Sequence, residues 1–165
     1  MGKEWKRHAQ GPQKFMKVLG IDPGYDRVGW AVLDRDKQRS TLIACGAITT
    51  DKKQVLSKRL VAISSELRQL IKDYSPESAS IESLFFATNA KTAIHVAEAR
   101  GVIVLTCEEA RLPISEFTPL QVKSAVTGSG HADKKAVEKM VRLIIKDVPP
   151  KLLDDTLDAI AIALV

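Results

Sequence analysis

The sequence contains few cysteines and no long apolar run. Cys45 and Cys107 are the only two cysteines among 165 residues, and their spacing matches neither a paired-cysteine metal motif nor a disulfide framework. Two reduced thiols in an intracellular protein are therefore expected. The C-terminal apolar run, residues 159–165, is far shorter than the roughly 20 residues of a membrane span. The N-terminus lacks the apolar segment of a signal peptide. These absences predict a soluble cytoplasmic protein with no membrane partner.

Internal repeats and low-complexity tracts are also missing. The composition, 45% hydrophobic and 27% charged, is that of one soluble domain. The net charge is +5, but residues 1–15 hold four basic residues and one acidic residue, so the remaining chain is close to neutral. We expect a flexible basic extension over 1–15 and one domain over 16–165. The net charge permits a polyanionic partner without predicting one.

Hydrophobic periodicity predicts an α/β fold. Strands are expected at 16–21, 27–34, 40–48, 78–82 and 113–117. Helices are expected at 54–74, 89–111, 119–126, 134–147 and from 152 to the end. This order predicts a mixed sheet flanked by helices, with an antiparallel meander followed by a right-handed crossover. The crossover would place strand 78–82 parallel to strand 16–21.

Four acidic residues occupy unfavourable positions in this scheme. Asp22 and Glu82 each end an apolar strand, and parallel strands would bring them to the same sheet edge. Asp155 and Asp158 share one face of the last helix, and Asp158 directly precedes a fully apolar run. Buried like charges repel, and a divalent cation would offset that repulsion. For the neighbouring Asp154, a place at the positive end of the helix is a sufficient explanation.

The chemistry of these four acids favours a particular kind of site. Ligand sets made only of oxygen prefer Mg²⁺ or Mn²⁺ to Zn²⁺. A carboxylate cluster that holds two such ions can hydrolyse phosphodiesters, because one ion activates water and the other stabilises the leaving oxygen. The sequence therefore favours a metal-dependent phosphodiesterase, provided that the four acids converge.

Two further features suggest nucleic acid. Lys134 and Lys135 lie in the first turn of a helix after Asp133, where a cation is unfavourable unless a phosphate binds there; the alternative is that both are solvated surface lysines with little net cost. Lys139 lies on the same basic helix. The segment at 84–86, Leu-Phe-Phe, follows Glu82, so its two aromatics either fold back into the core or at least one stays exposed to stack on or wedge between bases.

The ordered motifs of the chain resemble the bacterial RuvC Holliday-junction resolvases of the ribonuclease H-like superfamily. The similarity runs from about residue 17 to residue 164. Its landmarks are Leu-Gly-Ile-Asp-Pro-Gly at 19–24, Ile-Glu-Ser-Leu-Phe-Phe at 81–86, Asn-Ala at 89–90, Ala-Arg-Gly at 99–101, Gln-Val-Lys at 121–123, Ala-Asp-Lys at 132–134 and the acidic pair with its apolar run at 155–164. The opening hairpin alone would be weak support, whereas the ordered set is specific.

This resemblance implies a ribonuclease H-like fold with a five-stranded mixed sheet, and it assigns roles to single residues. Asp22, Glu82, Asp155 and Asp158 would be the catalytic metal ligands. Lys134 would lie near the scissile phosphate, Lys123 would belong to the DNA face, and Phe85 would stack in the open centre of the junction. Some family members carry histidine where this chain has Asp155, so its site is fully carboxylate.

The same resemblance implies a homodimer that nicks two strands of a four-way DNA junction symmetrically, leaving 5′-phosphates and 3′-hydroxyls, in recombination and repair. Mg²⁺, with Mn²⁺ as a substitute, would be the cofactor, with two ions per site. Partners would be branch-migration proteins of the RuvA and RuvB type. A dimer suits the two-fold symmetry of a junction, and helix 89–111, with small residues such as Gly101, is one candidate interface.

Three other functions remain open from the residues alone. Actin-like and sugar-kinase-like ATPases begin with a similar hairpin, but 165 residues are too few for their duplicated domains. A junction-binding module without catalysis would not need four mutually repelling acids. A ribonuclease H that acts on RNA–DNA hybrids is the third alternative. The aromatic segment and the basic helix favour branched DNA over such hybrids only weakly, and the family motifs decide between the two.

Overall fold

The computed structural model describes residues 15–36, 38–83 and 90–165. The strands are β1 Met16–Asp22, β2 Arg27–Arg35, β3 Ser40–Thr49, β4 Ser78–Glu82 and β5 Ile114–Phe117. The helices are α1 Leu56–Tyr74, α2 Ala90–Glu109, α3 Pro119–Thr127, α4 Lys134–Ile144 and α5 Asp154–Ala163. The predictions for Phe85, the helix cap Asn89 and nearly all of the N-terminal extension fall outside the described residues.

The strands form one five-stranded mixed sheet in the order β3-β2-β1-β4-β5. The first three strands are an antiparallel meander, while β4 runs parallel to β1 and β5 runs parallel to β4. Alternating apolar residues followed by a helical crossover dictate this order, because a crossover helix returns the chain to a parallel strand. The predicted mixed sheet with flanking helices is confirmed.

Helices cover both faces of the sheet. On one face α1 and α2 pack on buried strand residues such as Leu19 and Ile81. On the other face α5 packs on β1 and β2, with α3 and α4 outside it. Seven of the ten residues of α5 are buried, so this helix is the centre of its layer, as the apolar run at 159–165 predicts.

Two glycines allow α5 to lie against the strands. A Cβ atom at Gly20 of β1 would clash with the backbone of Ala159, and a Cβ at Gly29 of β2 would clash with the backbone of Asp155. Side chains at these two positions would therefore push the helix away from the sheet. The close approach places the first turn of α5 directly beside the end of β1.

Some helix boundaries differ from the sequence prediction. Helix α4 ends at Ile144 rather than at 147, because Ile145 is extended with φ −113° and ψ 109°. The apolar spacing of helix 134–147 predicts that Ile144 faces inward, but this residue is 41% exposed. Helix α1 begins at Leu56 rather than at 54, and α5 begins at Asp154 rather than at 152, since the preceding residues Val55 and Leu153 are extended caps.

Candidate active site

Asp22 and Glu82 are the last residues of β1 and β4. The two strands are parallel neighbours, and Ile21 lies opposite Ile81 one residue earlier. Pro23 and Gly24 cannot continue the strand after Asp22. Both carboxylates therefore leave the sheet at the same edge, as the sequence predicts.

Helix α5 adds two further acids at this edge. Leu153 precedes the helix without a side-chain cap, and Asp154 and Asp155 occupy the first turn, where negative charge complements the helix dipole. Asp158 is partly buried between the buried residues Leu157 and Ala159. The sheet and the apolar helix together hold Asp155 and Asp158 near the strand ends.

The protonation behaviour of Asp22 shows that the four acids share one site. Burial raises the pKa of Asp22 to about 8, and the nearby charges of Glu82, Asp158 and Asp155 contribute to this increase. Burial and then Asp158 raise the pKa of Glu82 to about 6, against the opposing effect of Lys123. Burial also raises the pKa of Asp158. Asp22, Glu82 and Asp158 are thus less easily ionised, first because they are buried and then because other acids lie close to them.

Two cations contact these acids from outside the sheet edge. Lys134, the first residue of α4, places its Nζ 3.1 Å from Asp154 Oδ2 and 3.4 Å from Asp158 Oδ2. Burial opposes its charge, but both carboxylates raise the pKa of Lys134, so this side chain stays protonated. Arg27 Nε lies 2.7 Å from Asp155 Oδ2.

A cavity of about 210 Å³ opens beside the acids. Its polar lining consists of Glu82, Asp158, Lys123 and Lys134, and its apolar wall consists of Pro119, Val122, Val137 and Ala161. Two acids and two lysines share this lining, and the lysines suit an anionic ester that must approach a cluster of carboxylates. The structure thus brings Lys123 and Lys134 to the predicted site.

Lys135 and Lys139 lie elsewhere. Both are exposed on α4 and do not line this cavity. A DNA contact by either lysine therefore stays a prediction.

Sequence reasoning missed a buried arginine that fixes the turn after Asp22. Arg59 of α1 is 8% exposed. It donates hydrogen bonds to Thr50 Oγ1 at 2.8 Å and to the Tyr25 carbonyl at 2.9 Å, and it pairs with Asp26. Its position was visible in the pattern, because Arg59, Ile63 and Leu67 form one buried stripe at four-residue spacing. The contact of Arg27 with Asp155 was likewise not predicted from the sequence.

The chemistry of the site fits a divalent cation. The four acids supply oxygen donors only, and the buried Asp155 Oδ2 has no hydrogen-bond partner among the described residues, although Arg27 Nε lies 2.7 Å away. An unsatisfied buried carboxylate oxygen is costly unless a cation compensates it. Within the described part of the chain, no three Asp, Glu, His or Cys side chains already form a closed ligand set. Carboxylate rotation is thus required to complete the coordination of an ion.

Comparison with known proteins agrees with this geometry. Residues 18–165 match the family model described as crossover junction endodeoxyribonuclease RuvC. Curated proteins of that name from Thermosipho melanesiensis and Petrotoga mobilis are 50% and 45% identical, each over 90% of this chain and over 94% and 91% of their own lengths.

A solved structure with the same family name is also similar. The structure titled T. thermophilus RuvC in complex with Holliday junction substrate has a TM-score of 0.84 and 31% identity, over 90% of this chain and 91% of that chain. The family model, the sequence identity and the shared fold cover the strand ends and the helix that carry the four acids. The chain belongs to the RuvC family of crossover junction endodeoxyribonucleases.

Proposed function

We propose that this chain is a metal-dependent endonuclease that resolves four-way DNA junctions in homologous recombination and repair. The observation that carries the proposal is the meeting of Asp22, Glu82, Asp155 and Asp158 where β1, β4 and α5 converge. Within the RuvC family, this cluster is the candidate hydrolytic centre. A cytoplasmic location, where the bacterial chromosome lies, is part of the proposal.

The four carboxylates would hold Mg²⁺, or Mn²⁺ as a substitute, with two ions per site. Such ions supply an activated water and stabilise the leaving oxygen of a phosphodiester. Lys134 and Lys123 border the same cavity, where their charges would attract and orient the phosphate. Cleavage on the 3′-oxygen side would leave a 5′-phosphate and a 3′-hydroxyl. Phe85, Lys135 and Lys139 are proposed as contacts to the junction.

A homodimer would present one such site to each of two strands. An exposed face of α2 supports this arrangement: Ile94 is 59% exposed and Leu105 is 58% exposed. Gly101, between them, meets no atom within 4 Å of an added Cβ. A glycine inside a helix costs about 1 kcal/mol relative to alanine, and close contact with a second copy would give it a purpose. Branch-migration proteins of the RuvA and RuvB type are the proposed further partners.

A cleavage assay tests the catalytic proposal. A synthetic four-way junction that contains a mobile core is incubated with the protein and MgCl₂. We expect wild type to yield paired nicks, and Asp158→Asn to bind the junction but to lose at least about 100-fold in cleavage rate, since removal of a metal ligand removes transition-state stabilisation.

Asp147→Asn is the matched control, because Asp147 is an exposed acid that does not line the site cavity. It should cut at the wild-type rate. Cleavage by Asp158→Asn at the wild-type rate would show that the site is wrong. Cleavage in the presence of EDTA would exclude the metal mechanism.

A further inference from the structure

Asp155 is paired with a cation that comes from strand β2. Arg27 and Gly29 lie on the same face of that strand, two residues apart. Gly29 lets the backbone of Asp155 approach, because a Cβ there would clash with the Asp155 carbonyl oxygen. The Arg27 side chain then reaches Asp155 Oδ2, with its Nε at 2.7 Å.

This contact is electrostatic rather than a directed hydrogen bond. Asp155 Oδ2 is buried, and within residues 15–36, 38–83 and 90–165 it has no hydrogen-bond partner even though Arg27 Nε is close to it. Strong arginine–carboxylate pairs are usually bidentate, with N–H groups that point at both oxygens. The contact therefore leaves the oxygen able to accept a different cation.

The backbone of Arg27 is fixed in the sheet, whereas its side chain is partly exposed. Arg27 pairs with Thr49 in the sheet, and Thr50 N donates to the Asp26 carbonyl at 3.0 Å. Arg59 holds the preceding turn through the Tyr25 carbonyl. The Arg27 side chain itself is 45% exposed, so its guanidinium can move into solvent while the strand stays in place.

We propose that Arg27 competes with the divalent cation for Asp155 and thereby lowers the affinity of the site for its metal. This inference rests on the proposed metal-dependent function. A carboxylate oxygen cannot contact a guanidinium and a divalent ion equally well, because the two positive charges repel each other at a few ångströms. Binding of an ion at Asp155 Oδ2 thus requires the arginine to leave that oxygen. Arg27 in return offsets the charge of Asp155 until an ion binds.

Calorimetric titration of the DNA-free protein with MnCl₂ measures this competition without reference to activity. We expect Arg27→Gln to bind the ion about 5- to 30-fold more tightly than wild type, because a repulsion of roughly one to two kcal/mol is removed. Arg27→Lys keeps the charge and should fall between the two. In an Asp155→Asn background, Arg27→Gln should not change the Mn²⁺ affinity further, since the effect of Arg27 depends on its contact with Asp155.

The matched control is Arg39→Gln, which loses the same charge at the other end of the β2–β3 hairpin. The nine residues of β2 put Arg39 roughly 25 Å from Arg27. The Mn²⁺ affinity of Arg39→Gln should therefore stay within about twofold of wild type. Equal or weaker binding by Arg27→Gln would overturn the competition. If neither wild type nor any variant binds Mn²⁺, the proposed metal site fails instead.

Discussion

Asp22 combines burial with three acidic neighbours, and this combination ties its charge to the stability of the fold. Its pKa of about 8 in the folded chain lies far above the ordinary value of 3.8. The folded state therefore holds a proton that the unfolded state releases. The stabilisation is complete below about pH 4 and is lost as the pH rises through 8. Glu82, with a pKa of about 6, acts in the same direction.

In EDTA, the free energy of unfolding of wild type should decrease between pH 5 and pH 8. The slope should approach about 1.4 kcal/mol per pH unit for each coupled proton. Asp22→Asn mimics the protonated acid, so it should be less pH-dependent and more stable than wild type at pH 8. Denaturant unfolding at several pH values measures this effect.

Asp147→Asn should retain the wild-type slope, because Asp147 is an exposed acid outside the site. Identical slopes for wild type and Asp22→Asn would mean that Asp22 is ionised in the folded chain at pH 5.

At the scale of elements, α1 supports the site although it carries none of the acids. Its buried Arg59 reaches the β1–β2 turn and the end of β3 through Tyr25, Asp26 and Thr50. The ring of Tyr25 lies beneath the guanidinium, 4.9 Å from Arg59 Cζ, and this geometry adds a cation–π contact. The turn that separates Asp22 from Arg27 is thus held by a helix on the α1–α2 side of the sheet.

Arg59→Met should lower the free energy of unfolding by about 2–4 kcal/mol, because the change leaves buried acceptors and a carboxylate without their charged donor. Arg68→Met on the same helix is the comparison: its pair with Glu109, at 2.7 Å, joins side chains that are 58% and 46% exposed. Its loss should cost less than about 1 kcal/mol. Equal effects in chemical denaturation would contradict the anchoring role of Arg59.

At the scale of the whole molecule, the proposed homodimer uses the exposed face of α2, and this interface would determine how many sites act together. Leu105→Glu places a charge on that face without touching the monomer core, since Leu105 is 58% exposed. We expect sedimentation to show a monomer and junction cleavage to yield single nicks rather than paired ones, because burying an unpaired charge in an apolar interface is unfavourable.

Lys58→Glu is a control for this change, as Lys58 is an exposed position of α1. It should leave the sedimentation coefficient unchanged. A Leu105→Glu protein that still sediments as a dimer would assign the interface to another surface.

The sequence predicts what depends on local pattern and on chain connectivity. The convergence of Asp22 and Glu82 follows from two short strands and a crossover rule, and the burial of α5 follows from its apolar run. The partners Arg27 and Arg59 were not predicted, because their contacts join residues far apart in the chain: 27 with 155 and 59 with 26. Apolar spacing predicted an inward Ile144, but this residue is the last of α4 and is exposed.

Helix α5 carries two of the four site acids, Asp155 and Asp158, and it is also the most buried helix of its layer. Binding loops and active-site lids are drawn from segments that can open while the rest of the fold persists. Here, Asp158 cannot leave its position unless Ala159, Ile160 and the residues around them lose their packing as well. Heat or denaturant therefore cannot displace Asp158 while the core stays folded. Loss of the Asp158 position and unfolding of the core should occur in the same cooperative transition.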